Sequence, residues 1–239
     1  MSALAAVARR EFAAYFRTPI GWVVVALYLA LSGVVFALAV FEPSAPASLR
    51  PFFSLSGWVL LFVAPAVSMR LISEELRTGT IEPLLTAPVS DWVVVAGKYA
   101  AALGFLIVML APTTIYLVVL ESVSDPDYGP VLAGYLGLAL AGMLYLALGA
   151  FFSTLTPSQT LAFLGTLFTL LILRLATAEG IASRTPDRIA DLLYAVSIDR
   201  RLAGFTRGVV DSADAAFFVI ASAWLVVLSV IALQSRRWR

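Results

Sequence analysis

The chain has 239 residues, of which 61% are apolar and only 13% charged, and its mean hydropathy is +0.96, far outside the range of a water-soluble domain. Sixteen basic residues stand against fifteen acidic ones, a balance with none of the surplus positive charge that nucleic acid demands. The absence of Cys and His excludes disulfides, thiolate or imidazole metal sites, Cys nucleophiles and His general bases together.

Residues 2–17 place Leu4, Val7, Ala8, Phe12, Tyr15 and Phe16 on one face of a helix and Arg10 and Arg17 on the other, the pattern of an interfacial helix at a membrane. Glu11 falls inside the apolar arc, where it either pairs with a cytoplasmic Arg, linking this entry helix to the coupling segment at residues 70–90, or reaches the headgroups. Thr18-Pro19 ends the helix. The apolar run that follows is too long for a secretory-signal core and reads as a retained first span.

Six spans are expected, at residues 20–41, 51–69, 92–120, 130–152, 158–176 and 213–233, each long enough to cross a hydrocarbon core of about 30 Å as a helix. The fold class is therefore all-α, a single polytopic membrane domain over residues 1–239 with no internal repeat and no linker. Six spans put both termini on one side. Arg9, Arg10, Arg17, Arg70, Arg77, Lys98, Arg236, Arg237 and Arg239 share that side, which makes it cytoplasmic.

Segment 70–90, between the second and third spans, carries the most information. Glu74, Glu75 and Arg77 extend the second span as a helix into water, Gly79 permits a left-handed turn, and Thr80 can cap a short helix from Ile81 to Thr86. Pro88 ends that helix and Ser90-Asp91 can cap the third span. The result is a cytoplasmic elbow with Ile81, Leu84 and Leu85 as apolar knobs, suited to passing force from a soluble partner to the bundle.

Further along, Pro65 and Pro112 are expected to kink their spans. Gly134, Gly137, Gly142 and Gly149 make the fourth span a surface for close packing, within the chain or at a dimer seam. Glu121, Asp125 and Asp127 read first as a solvated turn and second as cation ligands. Arg174, close to the end of the uncharged fifth span, is either an interfacial anchor or a residue of substrate passage, because a charge at mid-bilayer would cost roughly 2.5–3.5 kcal/mol. Residues 184–211 hold two short amphipathic helices on the outer surface, broken near Ser197 to Asp199.

Three stretches carry a resemblance. Arg10-Glu11-Phe12 with Tyr15-Phe16 and Thr18-Pro19, then Glu74-Glu75 with Gly79-Thr80-x-Glu82-x-Leu84-Leu85-x-x-Pro88-Val89-Ser90 and Gly97-Lys98, and finally Arg207-Gly208-Val209-Val210-Asp211 with Asp214, together resemble the membrane subunits of type-2 ATP-binding-cassette exporters, particularly the gliding-motility-associated permeases. The resemblance implies an exporter permease of the bacterial inner membrane that pairs with a second copy or a paralogue. It would dock through its coupling helix on two cytoplasmic ATPase subunits, which hold the ATP and Mg. No Gly-x-x-x-x-Gly-Lys-[Ser/Thr] occurs, since Tyr99 follows Gly97-Lys98, so this chain is expected to bind no cofactor and to catalyse nothing itself. Two alternatives remain open at this level: a mechanotransmission or assembly subunit without solute flux, and an ion-coupled carrier acting alone. The second is disfavoured by the lack of mid-membrane carboxylates.

Overall fold

The computed structural model describes residues 2–40, 48–81, 89–182 and 186–236, and every described element is helical. Six of the helical runs are long and apolar enough to cross a membrane, at Pro19–Leu38, Arg50–Thr78, Asp91–Glu121, Tyr128–Leu155, Gln159–Ala176 and Ser212–Ser235. These match the six expected spans to within a few residues at most ends. The part of the expected first span at residue 41 lies outside the described residues.

Helix α1 (Ala3–Arg17) begins at Ser2, whose hydroxyl accepts the Ala5 N–H, and stops at Thr18. Pro19 then starts α2 (Pro19–Ala39) at the one position where a missing N–H costs nothing. The elbow between them is tight: the Trp22 indole donates to the Phe16 carbonyl at 3.1 Å, and a side chain at Gly21 would strike the Tyr15 carbonyl. Although α1 is amphipathic, its apolar side is partly covered by protein: Tyr15 is buried, Val7, Phe12 and Phe16 are half-buried, and Leu4 stays exposed. It runs beside the first half of α5 (Asp91–Leu110), where Val7 fits over Gly97 and Phe12 over Gly104.

The second span, α3 (Arg50–Ser68), does not continue straight into water. Its last turn carries Pro65 and Ser68, whose hydroxyl bonds back to the Ala64 carbonyl at 2.7 Å, and residues 69–72 form a turn before α4 (Ser73–Thr78). The third span is continuous, but Pro112 tightens Ala111–Thr114 into a 3₁₀ turn between α5 and α6 (Ile115–Glu121). A loop whose Asp127 caps the next helix leads to α7 (Tyr128–Leu155). Among the described residues, no group of three or more His, Cys, Asp or Glu side chains is placed to hold a metal ion, and Glu121 accepts the Tyr128 hydroxyl.

The fourth span is the axis of the bundle: α7 packs against α3, α5, α8 (Gln159–Ala176), α11 (Ile198–Thr206) and α12 (Ser212–Ser235). Its glycines make this possible. Side chains at Gly134, Gly137, Gly142 and Gly149 would collide with Phe53, Phe205, Leu106 and Ser68 respectively, so the small-residue face is used within the chain. By contrast, α2 and α8 are among the least covered spans and present Trp22, Leu38, Phe168 and Ile172 outward, as lipid-facing helices do.

After α8 come a short α9 (Glu179–Ala182), then α10 (Asp187–Ala195) and α11, broken at Val196-Ser197 close to the expected place. Ser197 caps α11 through the Arg200 N–H. This helix is no surface ornament: Leu202 lies against Gly57 and Gly137, and Phe205 against Gly137 and Phe218, about 10 Å inside the end of α3 by helical rise. α10 packs mainly on α9 and leaves Ile189 and Leu192 exposed.

Candidate coupling site

One end of the bundle gathers α1, α4, the start of α5, the end of α7 and Arg236. At its centre is Lys98, a lysine with 4% of its side chain exposed, whose ammonium stands 3.2 Å from Glu11 and 2.9 Å from Glu75. A buried ammonium is tolerated only with opposite charge at hand, and here two helices each supply a carboxylate. Arg10 adds a second cation, 2.8 Å from Glu11. Burial pushes the Glu11 carboxyl up, but Lys98 and Arg10 together outweigh it and hold the group below the ordinary carboxylate range. The Arg10 guanidinium is held above its ordinary value by its hydrogen bond to Glu11.

A second set of contacts fixes α1 to the second span. The Tyr15 hydroxyl donates to the Val67 carbonyl at 3.2 Å, the ring stacks on Phe105 at 4.6 Å, and the Arg70 guanidinium lies 5.0 Å over its centroid. Ser153 of α7 completes the joint. Its hydroxyl accepts the N–H groups of Ile72 and Ser73, both at 2.9 Å, and donates to the Met69 carbonyl, so the turn between α3 and α4 is capped from another helix. At the same end, Arg236 donates to the carbonyls of Thr154 and Leu155, closing the C-terminus of α7 with a cation.

Of the residues singled out from the sequence, Glu11 and Glu75 meet at Lys98, with Arg10 beside Glu11 and Phe12 seated over Gly104. Glu11 thus pairs with an Arg, its neighbour Arg10, in line with one of the two sequence readings, and also with Lys98, which that reading did not name. Glu74 is exposed and pairs with nothing among the described residues. Gly79 has the left-handed geometry expected of it, with φ at +74°, and ends α4. The Thr80 hydroxyl lies 2.9 Å from that of Thr78. Glu82, Leu84, Leu85 and Pro88 lie outside the described residues, as does the expected helix beyond Ile81. Ser90 caps α5 through the Val93 N–H.

The sequence points to Lys98 as part of a motif and as a topology-setting charge but not as a buried junction, and it does not mark Ser153 or Arg236 as fasteners. A Lys amid apolar residues at the start of a span is a signal that could have found the first. Nothing local marks a serine as the cap of a distant helix. Gly97 lies under Val7 and Lys98 between carboxylates, so this pair cannot cradle a phosphate.

At the other end of the bundle, Arg174 has only 1% of its side chain exposed. Its Nε donates to Asp199 at 3.0 Å, a second nitrogen bonds the same carboxylate, a third donates to the Gly57 carbonyl at 2.9 Å, and the guanidinium lies 3.9 Å over the Trp58 ring. Arg174 therefore faces neither headgroups nor an open path in this structure; it clamps α11 to α3 and α8. A second pair, Arg201 with Asp214, ties α11 to α12.

The family described as ABC-2 family transporter protein matches residues 13–191, most of the chain. No curated protein matches it.

Proposed function

Because the chain belongs to the ABC-2 family of transporter proteins, we propose that it is the permease subunit of an exporter in the bacterial inner membrane, driven by ATP hydrolysis in a separate cytoplasmic subunit. ATP and Mg belong, in this reading, to that partner, and a second copy or a paralogue completes the pore. The end bearing Arg9, Arg10, Arg17, Arg70, Arg77 and Lys98 is assigned to the cytoplasm by its positive charge.

The observation that carries the coupling role is the junction at Lys98. In sequence, segment 79–90 connects α4 to α5, and Glu75 of α4 and Lys98 of α5 are joined directly, with Glu11 of α1 on the same ammonium. A push on that segment would reach the entry helix and the second and third spans as one body, without slack between them. Leu84 and Leu85 are the knobs on which the partner would act, a role that rests on the resemblance.

The test is affinity purification of the chain in mild detergent from its native membrane, with mass spectrometry of stoichiometric partners. A subunit bearing a phosphate-binding loop, recovered with the wild type and lost with Leu84→Asp at normal expression, is the expected result. Recovery of the chain alone, with flux in liposomes that needs no ATP, would overturn the reading in favour of a carrier. Substrate flux in proteoliposomes with the partner present separates export from ATP-driven motion that acts on an envelope assembly.

A further inference from the structure

Two cavities meet at one side chain. A groove of about 550 Å³ runs between α2 and α3 to Phe163 of α8, and every residue lining it is apolar, among them Val24, Leu31, Val35, Val59 and Phe62. A pocket of about 360 Å³ with a mixed lining, in which Glu179, Asp199 and Arg200 stand beside Trp58 and Leu202, lies at the end of the bundle where Arg174 is buried. Trp58 lines both.

The dimensions and charges are those of an amphiphile. From Val24 to Val35 the groove follows α2 for about 16 Å, close to half of a hydrocarbon core of about 30 Å, so it has the length of one leaflet. In the pocket, Asp199 is already neutralised by Arg174. Glu179 and Arg200 are exposed and make no ion pair among the described residues; the Arg200 guanidinium rests 5.1 Å over the Tyr194 ring. One free anion and one free cation at the mouth of an apolar groove complement a headgroup that carries both charges.

We propose that the groove and the pocket joined at Trp58 form one site for a zwitterionic phospholipid with a primary amine, its acyl chain along α2 and α3, its phosphate at Arg200 and its ammonium at Glu179. As cargo, such a lipid would define the substrate class of the exporter, a step that rests on the function proposed above; its binding does not.

The test is native mass spectrometry of the purified full chain, without ATP or partner, in detergent containing equal mole fractions of phosphatidylethanolamine and phosphatidylglycerol with identical acyl chains. The expected result is preferential retention of phosphatidylethanolamine by about five-fold. Glu179→Gln with Arg200→Gln, both exposed positions, brings the two lipids to parity. Val59→Trp fills the groove and lowers retention of both, whereas Leu132→Trp, on the outward face of α7, changes neither. Equal retention by the wild type, or a preference that survives the double substitution, overturns the proposal and leaves only annular lipid. So does disulfide cross-linking of Leu31→Cys between two copies with no lipid retained, which would make the groove a protein interface. Should Val59→Trp fail to fold, the double substitution decides alone. None of these outcomes alters the evidence for an ATPase partner, which comes from the purification.

Discussion

The ammonium of Lys98 lies 2.9 Å from the carboxylate of Glu75, and that contact fastens the helix that follows the second span to the first turns of the third. Because Lys98 is almost fully buried, the pair is held away from the water that weakens surface ion pairs. Lys98→Met leaves Glu75 without its cation and Glu11 with Arg10 alone, and is expected to cost about 3–5 kcal/mol. Lys98→Met combined with Glu11→Gln and Glu75→Gln removes the orphaned charges and should recover much of that loss. Scanning fluorimetry of the purified variants measures both; equal melting temperatures for the single and the triple variant would show that the charges are not what matters.

Acid should loosen the same joint. The folded pKa of Glu11 is depressed relative to an unfolded value of about 4.3. Its contribution is therefore fully present above that unfolded value and is lost as pH falls through the lower, folded one. Hydrogen exchange at the amides of α1 is the readout: protection constant at neutral pH and falling below the ordinary carboxylate range, after correction for the intrinsic pH dependence of exchange. Glu11→Gln should lower protection at neutral pH and flatten its response to acid.

The two partners at the opposite end are predicted to be unequal. Asp199→Ala strands a guanidinium with 1% exposure and should destabilise by about 3–5 kcal/mol, whereas Arg174→Ala leaves a carboxylate that is 41% exposed and can hydrate. A thermal unfolding series of both single variants and Asp199→Ala with Arg174→Met checks the order. Asp199→Ala should be the worst of the three, and a milder loss there than in Arg174→Ala would contradict the burial argument.

Glycine substitutions should sort by what surrounds them. Gly142→Ala places its methyl 2.6 Å from Leu106 and should cost about 1–3 kcal/mol through overpacking. Gly149→Ala meets the hydroxyl of Ser68 and belongs in the same class. Gly180→Ala meets nothing within 4 Å and should leave the melting temperature unchanged or slightly raised. Similar shifts for Gly142 and Gly180 would mean that helix packing on α7 is looser than these contacts indicate.

The sequence made the spans legible because lipid leaves the backbone one option: each apolar run of bilayer length has to satisfy its own hydrogen bonds as a helix. Gly79 and the Ser90 cap were legible for a comparable reason, since backbone geometry there depends on residues close in the chain. The break between α3 and α4 was not. Glu74, Glu75 and Arg77 are good helix formers, and the turn at residues 69–72 exists because Ser153, some eighty residues away, accepts the N–H groups that it frees. The partners of Arg174 were not legible for the same kind of reason: hydropathy locates a charge along a span, but Asp199, Gly57 and Trp58 come from two other elements.

By itself, then, the sequence determined that the chain has six helices fit to cross a membrane, where most of them begin and end to within a few residues, and which positions on the fourth have no side chain to keep a neighbour away. Solvent and local backbone chemistry act on consecutive residues, and consecutive residues are what a sequence presents. Only the tertiary structure decided that Glu11 and Glu75 converge on Lys98, that α11 is held inside the bundle by Arg174 and Arg201, and that Trp58 joins an apolar groove to a charged pocket. Each of those depends on which helix faces are turned together, and that choice is made by packing among elements far apart in the chain.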